Sequence, residues 1–235
     1  MKKLFISLII AVVLAVGLYQ LYPQIAIYPL LKYYVFKNDF PLTHQTPVEK
    51  QIEQRIDSTE LPYKLSTKWF EISTPWKLSN TKLAKSLTLY QFPNEKVIII
   101  SERKNKFLDS FLKGNDIESL KVKSVLGENH LQSEYDFEKL CLYTTPDQVS
   151  LFSSAAELTK VLTMVLMKGM LLGDKIYSFT VKDYKVFQFI KTDTGSLNTN
   201  IVHIFDNKDQ CFEINFLNIN QDQVDSILAS IQMIV

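Results

Sequence analysis

The sequence predicts an α+β domain, built as an antiparallel sheet covered by helices, behind one N-terminal transmembrane helix. Segments with the alternation and β-branched or aromatic content of strands outnumber segments with helical spacing. No long linker divides the chain after the first 45 residues, which indicates a single domain. An uninterrupted apolar run from Leu4 to Tyr22 precedes that domain and predicts the transmembrane helix.

The apolar run has the length that a helix needs to cross a bilayer core of roughly 30 Å. Lys2 and Lys3 precede it, and the positive-inside rule keeps them in the cytoplasm, so the rest of the chain is expected outside. A cleaved signal peptide is the alternative, because Ala15 to Gly17 resembles a small-residue cleavage site. The run continues beyond that site, which favours a permanent anchor, although the sequence leaves cleavage open.

This interpretation divides the chain into three parts. Residues 1–23 are the signal anchor, residues 24–45 an apolar juxtamembrane connector, and residues 46–235 one extracytoplasmic domain. The predicted location is the cytoplasmic (inner) membrane, crossed once with the N-terminus inside and the domain in the periplasm or another extracytoplasmic space. The connector either follows the membrane surface or packs on the domain as a strand or loop.

The first half of the domain is predicted to contain helices at both ends of one group of strands. A capping box at Thr46 to Glu49 begins a helix from Pro47 to about Asp57. A second helical face runs from Phe107 to Leu112 and is ended by Gly114. Between these helices we expect three strands of one sheet, at Trp69–Thr74, Leu83–Phe92 and Val97–Ser101.

The second half contains a further strand, a long helix and a run of four strands. The residues from Phe137 to Tyr143 alternate like a strand, and a capping box begins a helix from Ala155 to Leu172, ended by Gly173. The later strands are Ile176–Thr180, Tyr184–Lys191, Asn200–Phe205 and Cys211–Phe216, with a hairpin turn at Asp206 to Asp209. Asn220 caps a closing helix whose apolar stripe is Val224, Ile227, Leu228 and Ile231.

The order of these elements is similar to that of a known fold. A strand Phe70 to Thr74 is followed by Pro75-Trp76, then come a long central helix, a hairpin and a closing helix Val224 to Ile231. In this the stretch from Tyr63 to Val235 resembles the Mog1/PsbP-like fold, including its DcrB-like group of exported proteins. The resemblance implies an α+β sandwich used mostly for binding, adaptor or chaperone roles, with no catalytic set. A glycine commonly precedes the tryptophan in that family, so the first turn must differ here.

Composition and motifs exclude several classes of function. With 26 Lys+Arg against 25 Asp+Glu, the chain lacks the positive charge on which nucleic-acid binding depends. Neither a Rossmann fingerprint nor a Walker A loop occurs, and we expect no cofactor. The histidines, His44, His130 and His203, lack the spacing that places two metal ligands on one helical face, so we expect no metal site.

Catalytic residues are equally hard to find. No nucleophile elbow occurs, and no catalytic residue is assigned. Asp136 and Glu138 would share one face of their strand, where a solvated polar face is expected rather than a carboxylate pair for glycoside hydrolysis.

The two cysteines, Cys141 and Cys211, both fall in predicted strands. If those strands are neighbours, an exported domain would be in a compartment that oxidises the pair to a disulfide. The alternative is two isolated buried thiols, because a disulfide requires the two Cα atoms to lie within about 7 Å.

The predicted helix Ala155–Leu172 is apolar almost all round. Met164 and Leu171 project into the same arc as its polar side, which includes Lys160, and Met167 lies beside them. One interpretation is that these residues form a face that binds a partner, for which flexible methionine side chains are suited. The other is that the helix is buried between the sheet and the connector.

Two hypotheses about function remain. The first is a non-enzymatic binding or adaptor module, anchored outside the cytoplasmic membrane, that engages an envelope protein or a small ligand; an immunity protein is one specific form. The second is a membrane-attached hydrolase whose active site is assembled by the fold. A pocket that holds His130 or His203 beside a carboxylate would favour the enzyme.

Overall fold

The computed structural model describes residues 25–33, 41–52, 60–67, 69–84, 86–103, 133–169, 171, 173–191 and 199–234. Within them the chain is α+β, as predicted. The helices are α1 (residues 25–33), α2 (Glu134–Tyr143), α3 (Ala155–Gly169) and α4 (Gln221–Ala229). The strands are β1 (Val48–Glu49), β2 (Tyr63–Ser66), β3 (Phe70–Thr74), β4 (Asn80–Leu83), β5 (Leu87–Gln91), β6 (Val97–Glu102), β7 (Lys175–Val181), β8 (Tyr184–Lys191), β9 (Thr199–Phe205), β10 (Cys211–Leu217) and β11 (Gln232–Met233). Short 3-10 turns occur at Pro41–His44 and Pro146–Gln148.

The strands form two sheets rather than one. The larger has eight strands in the order β1-β7-β8-β9-β10-β6-β5-β4, and the smaller has the order β11-β3-β2. The larger sheet is mixed, because β1 pairs with β7 in parallel. The predicted strand Trp69–Thr74 therefore belongs to a different sheet from the strands predicted with it, since a strand pattern does not identify the pairing partner.

The core has two main parts, one on each face of the large sheet. One lies between that sheet, the small sheet and α4, and includes Phe70, Ile214 and Val224. The other lies under α2 and includes Phe187 and Phe205. Helix α3 packs against α2.

The helix predicted from Pro47 is wrong at its start. Val48 and Glu49 pair instead with Tyr177 and Ser178 of β7. The backbone hydrogen bonds gained at the sheet edge override the local capping signal, as tertiary context commonly does. Residues 53–59 lie outside the described residues, as does the predicted helix Phe107–Leu112.

The predicted strand Phe137–Tyr143 is also wrong, because these residues form most of α2. Its N-cap is Ser133, whose side chain accepts a hydrogen bond from the backbone N–H of Asp136. The buried residues Phe137, Glu138, Cys141 and Leu142 recur with helical spacing. A short apolar segment fits both periods, and the helical one forms here.

The connector and the long helix cover each other. Leu31 of α1 is fully buried in a cluster with Leu158, Val161 and Val165 of α3. Helix α3 ends at Gly169, before the predicted Leu172. No helix within the described ranges is long and apolar enough to span a membrane, and the run Leu4–Tyr22 lies outside those ranges.

Candidate functional site

A cleft of about 590 Å³ opens between α2 and the edge of the large sheet where β1 joins β7. Tyr135, Lys139 and Tyr143 line it from α2; they are spaced by four residues and so occupy one face of the helix. The opposite wall comes from the two paired strands and the residues after β1. Its lining residues are Glu49, Lys50, Gln51, Ile52, Ser178, Phe179 and Thr180.

The start of α2 is held by the hairpin between β9 and β10. In that turn the Asp209 carboxylate accepts hydrogen bonds from Ser133 Oγ at 2.8 Å, from Glu134 N at 2.6 Å and from Tyr135 N at 3.1 Å. A carboxylate is stabilising at this position because a helix N-terminus carries unpaired N–H groups and partial positive charge. The hairpin turn, which the sequence predicts correctly, thereby positions the cleft wall.

The end of α2 is held by a buried lysine of α3. Lys168 Nζ donates hydrogen bonds to the carbonyl of Leu142 at 2.6 Å, to that of Thr144 at 3.1 Å, and to that of Gln45. Burial lowers the pKa of Lys168 to about 8. The ammonium group satisfies carbonyls that have no partner at a helix C-terminus, so both ends of the cleft wall are fixed.

Aromatic contacts fix the side chains along this wall. Tyr135 stacks on Phe187 with ring centroids 5.3 Å apart, and Lys185 Nζ lies 4.2 Å from the centre of the Tyr135 ring. The hydroxyl of Tyr143 lies 3.1 Å from Ser178 Oγ across the cleft. Burial raises the pKa of Tyr135, so its hydroxyl stays protonated and able to donate.

Lys50 belongs to the framework of the cleft. Its Nζ donates to Asp225 Oδ1 and to Gln188 Oε1, each at 2.6 Å, and lies 4.5 Å from the centre of the Phe179 ring. Burial lowers the pKa of Lys50, while the bond to Asp225 opposes that change. Lys139, by contrast, is exposed at the mouth and can meet a ligand.

A cluster of ionisable groups lies on the buried side of α2. Glu138 Oε1 is 2.5 Å from His203 Nδ1, and Glu138 Oε2 is 3.1 Å from Arg103 Nη1. His203 Nε2 lies 3.6 Å from Glu213 Oε2. The expected solvated face for Asp136 and Glu138 is therefore wrong for Glu138, which is 2% exposed.

The charges in this cluster stabilise one another. Burial opposes ionisation of both partners, yet His203 and Arg103 lower the pKa of Glu138, and Glu138 and Glu213 raise that of His203. The neighbouring His203 lowers the pKa of Glu213 to about 2. Two basic side chains thus face two carboxylates inside the fold. Sequence reasoning missed this cluster because its members are far apart in the chain; only the helical period around Glu138 could have signalled its burial.

The residues predicted to bind a partner are mostly covered. Met164 and Met167 are 0% and 1% exposed, so the interpretation of these two as an exposed face is wrong. Leu171 is partly buried against the core under α2, and Lys160 is half-buried. The physical reason is that α2, the turn Pro41–His44 and α1 pack around α3.

Both cysteines are free and buried, and they do not form a disulfide. Cys141 lies on α2 and donates a hydrogen bond to the carbonyl of Met164 at 3.4 Å, whereas Cys211 begins β10. Burial raises the pKa of both thiols, which makes them poor nucleophiles.

The part of the chain that the structure describes contains no cluster of metal-ligating side chains. No group of three or more His, Cys, Asp or Glu side chains there could hold an ion. His203 is engaged with Glu138, and His130 lies outside the described residues. The cleft itself offers the hydroxyl groups of Tyr135, Tyr143 and Ser178 and the ammonium group of Lys139, which can donate hydrogen bonds to a ligand.

Comparison with known proteins places the chain in no family. No protein-family model matches it, and no curated protein has a matching sequence.

Proposed function

We propose that this protein is a non-enzymatic binding module, tethered to the outer face of the cytoplasmic membrane, that holds an anionic group in the cleft between α2 and the β1–β7 edge. The observation that carries the proposal is the cleft itself. Its α2 wall is fixed at both ends, by Asp209 and Lys168, before any ligand arrives. A preformed site loses less conformational freedom on binding than a mobile one.

The charges around the cleft favour an anion. Lys139 and Lys50 line it and Lys185 lies over the Tyr135 ring, whereas Glu49 is the one carboxylate among the lining residues that the structure describes. Asp225 neutralises Lys50, so the exposed Lys139 is the principal positive group. The hydroxyls of Tyr135 and Tyr143 add hydrogen-bond donors. A carboxylate or phosphate on a small molecule, or an acidic segment of an envelope protein, fits this combination.

The hydrolase hypothesis receives less support from the same geometry. His203 does stand beside carboxylates, but it is buried, packs 4.9 Å from the Phe189 ring and does not line the cleft. A general base must come within hydrogen-bond reach of its substrate. The pairing with Glu138 is better explained as a structural ion pair.

The tether in this proposal is the apolar run Leu4–Tyr22, whose length suits a bilayer core. An immunity protein is one form that a tethered binding module could take. The Mog1/PsbP-like resemblance is consistent with such a role, since the described α+β architecture is the coarse one that it implies.

Reversing the charge of Lys139 is expected to remove the ligand. We predict that the full chain, purified from its membranes in mild detergent, retains a bound mass in native mass spectrometry, and that Lys139→Glu loses it. The matched control is Lys82→Glu, which makes the same change at an exposed position on β4, the opposite edge of the sheet. This control should keep the bound mass. A bound mass retained by both variants, or found on neither variant nor the wild type, would contradict the proposal.

A further inference from the structure

Helix α1 is apolar on the side that faces away from the domain as well as on the side that packs. Leu31 is buried against α3, while Ile25, Pro29, Leu30 and Tyr33 on the other side are exposed. The one charged residue of this helix, Lys32, lies 3.6 Å from Asp147. A helix that is apolar all round is normally covered on all sides. We therefore expect an apolar neighbour on the outer face of α1.

A turn next to α1 adds to this surface. Phe152 is 93% exposed and Leu151 is also exposed, at the tip of a turn in which Ser150 N donates to Ser153 Oγ at 3.0 Å. The preceding residue Val149 packs in the same cluster as Leu31. The turn and the helix are therefore neighbours. We call the exposed apolar side chains of these two neighbouring segments the apolar patch: Ile25, Pro29, Leu30, Tyr33, Leu151 and Phe152.

We propose that this apolar patch lies against the lipid bilayer, so that the domain is seated on the membrane and not only tied to it. The inference rests on the proposed tether. The apolar run ends at Tyr22, three residues before Ile25, and three extended residues span at most about 11 Å. The polar layer on each side of the bilayer core is about 7 Å thick. These three residues are therefore too few to place α1 far from the membrane interface.

The chemistry of the patch agrees with that position. Tyrosine is favoured at the membrane interface, where its ring meets hydrocarbon and its hydroxyl stays hydrated. Tyr33 is the aromatic residue at the end of α1, and Phe152 projects from the neighbouring turn. Exposed apolar groups of this size are unfavourable in water and are stabilised by insertion into the boundary between headgroups and acyl chains.

Depth-dependent quenching tests the proposal. The full chain, reconstituted in phosphatidylcholine vesicles that contain bromine on the acyl chains, carries an environment-sensitive thiol label at Phe152→Cys. Leu83→Cys is the matched control, because Leu83 is 80% exposed on β4 at the far edge of the sheet. The native thiols are buried and should not react. We expect brominated lipid to cause a several-fold greater loss of fluorescence at position 152 than at position 83.

The other outcomes separate this proposal from the tether. If the protein floats with the vesicles but the label at position 152 is not quenched more than that at position 83, the patch does not touch lipid and the tether stands. If the protein does not float with the vesicles, both proposals are overturned. Shielding of position 152 in lipid-free detergent that disappears on dilution would show that a second copy of the chain covers the patch, and would also overturn the proposal.

Discussion

Replacing Glu138 with alanine is expected to lower the free energy of unfolding by about 3 to 5 kcal/mol, the usual cost of removing one partner from a buried ion pair. The change leaves His203 and Arg103 without the carboxylate that contacts both of them. It also opens a space beside the core under α2. Urea unfolding of the full chain in detergent, followed by tryptophan fluorescence, measures the difference.

Asp136→Ala is the control for this prediction, since Asp136 lies on the same helix but is exposed. Its effect should stay within about 1 kcal/mol, the most that an exposed carboxylate in the first turn of a helix usually contributes. An equally small effect of Glu138→Ala would mean that the buried cluster does not stabilise the fold.

The same cluster gives the wild type a definite pH profile. The folded pKa of His203 lies above its ordinary 6.5, so its contribution is complete below that value and is lost as the pH rises through the folded pKa. The folded pKa values of Glu138 and Glu213 lie below their ordinary 4.5, so their contributions are complete above it and are lost as the pH falls. The cluster should stabilise the wild type most between about pH 4.5 and 6.5, and Glu138→Ala should flatten this maximum.

Lys168→Met is expected to destabilise the domain by about 2 to 3 kcal/mol, because it leaves buried carbonyls without a donor. The affected carbonyls are those of Gln45, after the turn Pro41–His44, and of Leu142 and Thr144, at the end of α2. Part of the loss is offset, since the pKa of about 8 shows that the charged form of Lys168 is itself disfavoured by burial.

The matched control is Lys160→Met, which makes the same change on α3 at a half-buried position. Thermal and urea unfolding should separate the two variants clearly. If both have the same stability as the wild type, Lys168 does not hold the end of α2, and the rigidity ascribed to the cleft wall is wrong.

The last four predicted strands and the closing helix were predictable because local pattern and tertiary role agree there. The strand Tyr184–Lys191 has its predicted bounds, and Asn220 caps α4 as expected, with its side chain accepting from Gln223 N at 2.9 Å. The buried stripe of Val224, Ile227 and Leu228 follows the helical period. In these segments the apolar residues that give the local pattern are the same residues that the core buries.

The candidate site was not predictable, because distant segments create it. The cleft joins Tyr135 and Lys139 to Ser178, and its edge depends on β1, for which the local sequence favours a helix. The pairing of Glu138 with His203 joins two elements whose residues are 65 positions apart in the chain. Pairwise contacts of this kind leave no periodic trace in the sequence.

The long helix α3 shows how two apolar segments can each look like a partner surface. Both the connector and α3 are more apolar than one buried face requires. Leu31 packs against Leu158 in the fold, so part of each segment is satisfied by the other. The outer side of α1 remains exposed. This side, and not a face of α3, is the surface that we propose to contact the membrane.

Placement outside the cytoplasm is the claim on which the proposed function depends most. Lys82→Cys places one reactive thiol on exposed β4, while the native Cys141 and Cys211 stay buried and unreactive. Intact cells stripped of their outer barriers are treated with a membrane-impermeant maleimide, before or after lysis. We predict equal labelling of position 82 in both samples; labelling only after lysis would place the domain in the cytoplasm and contradict the account.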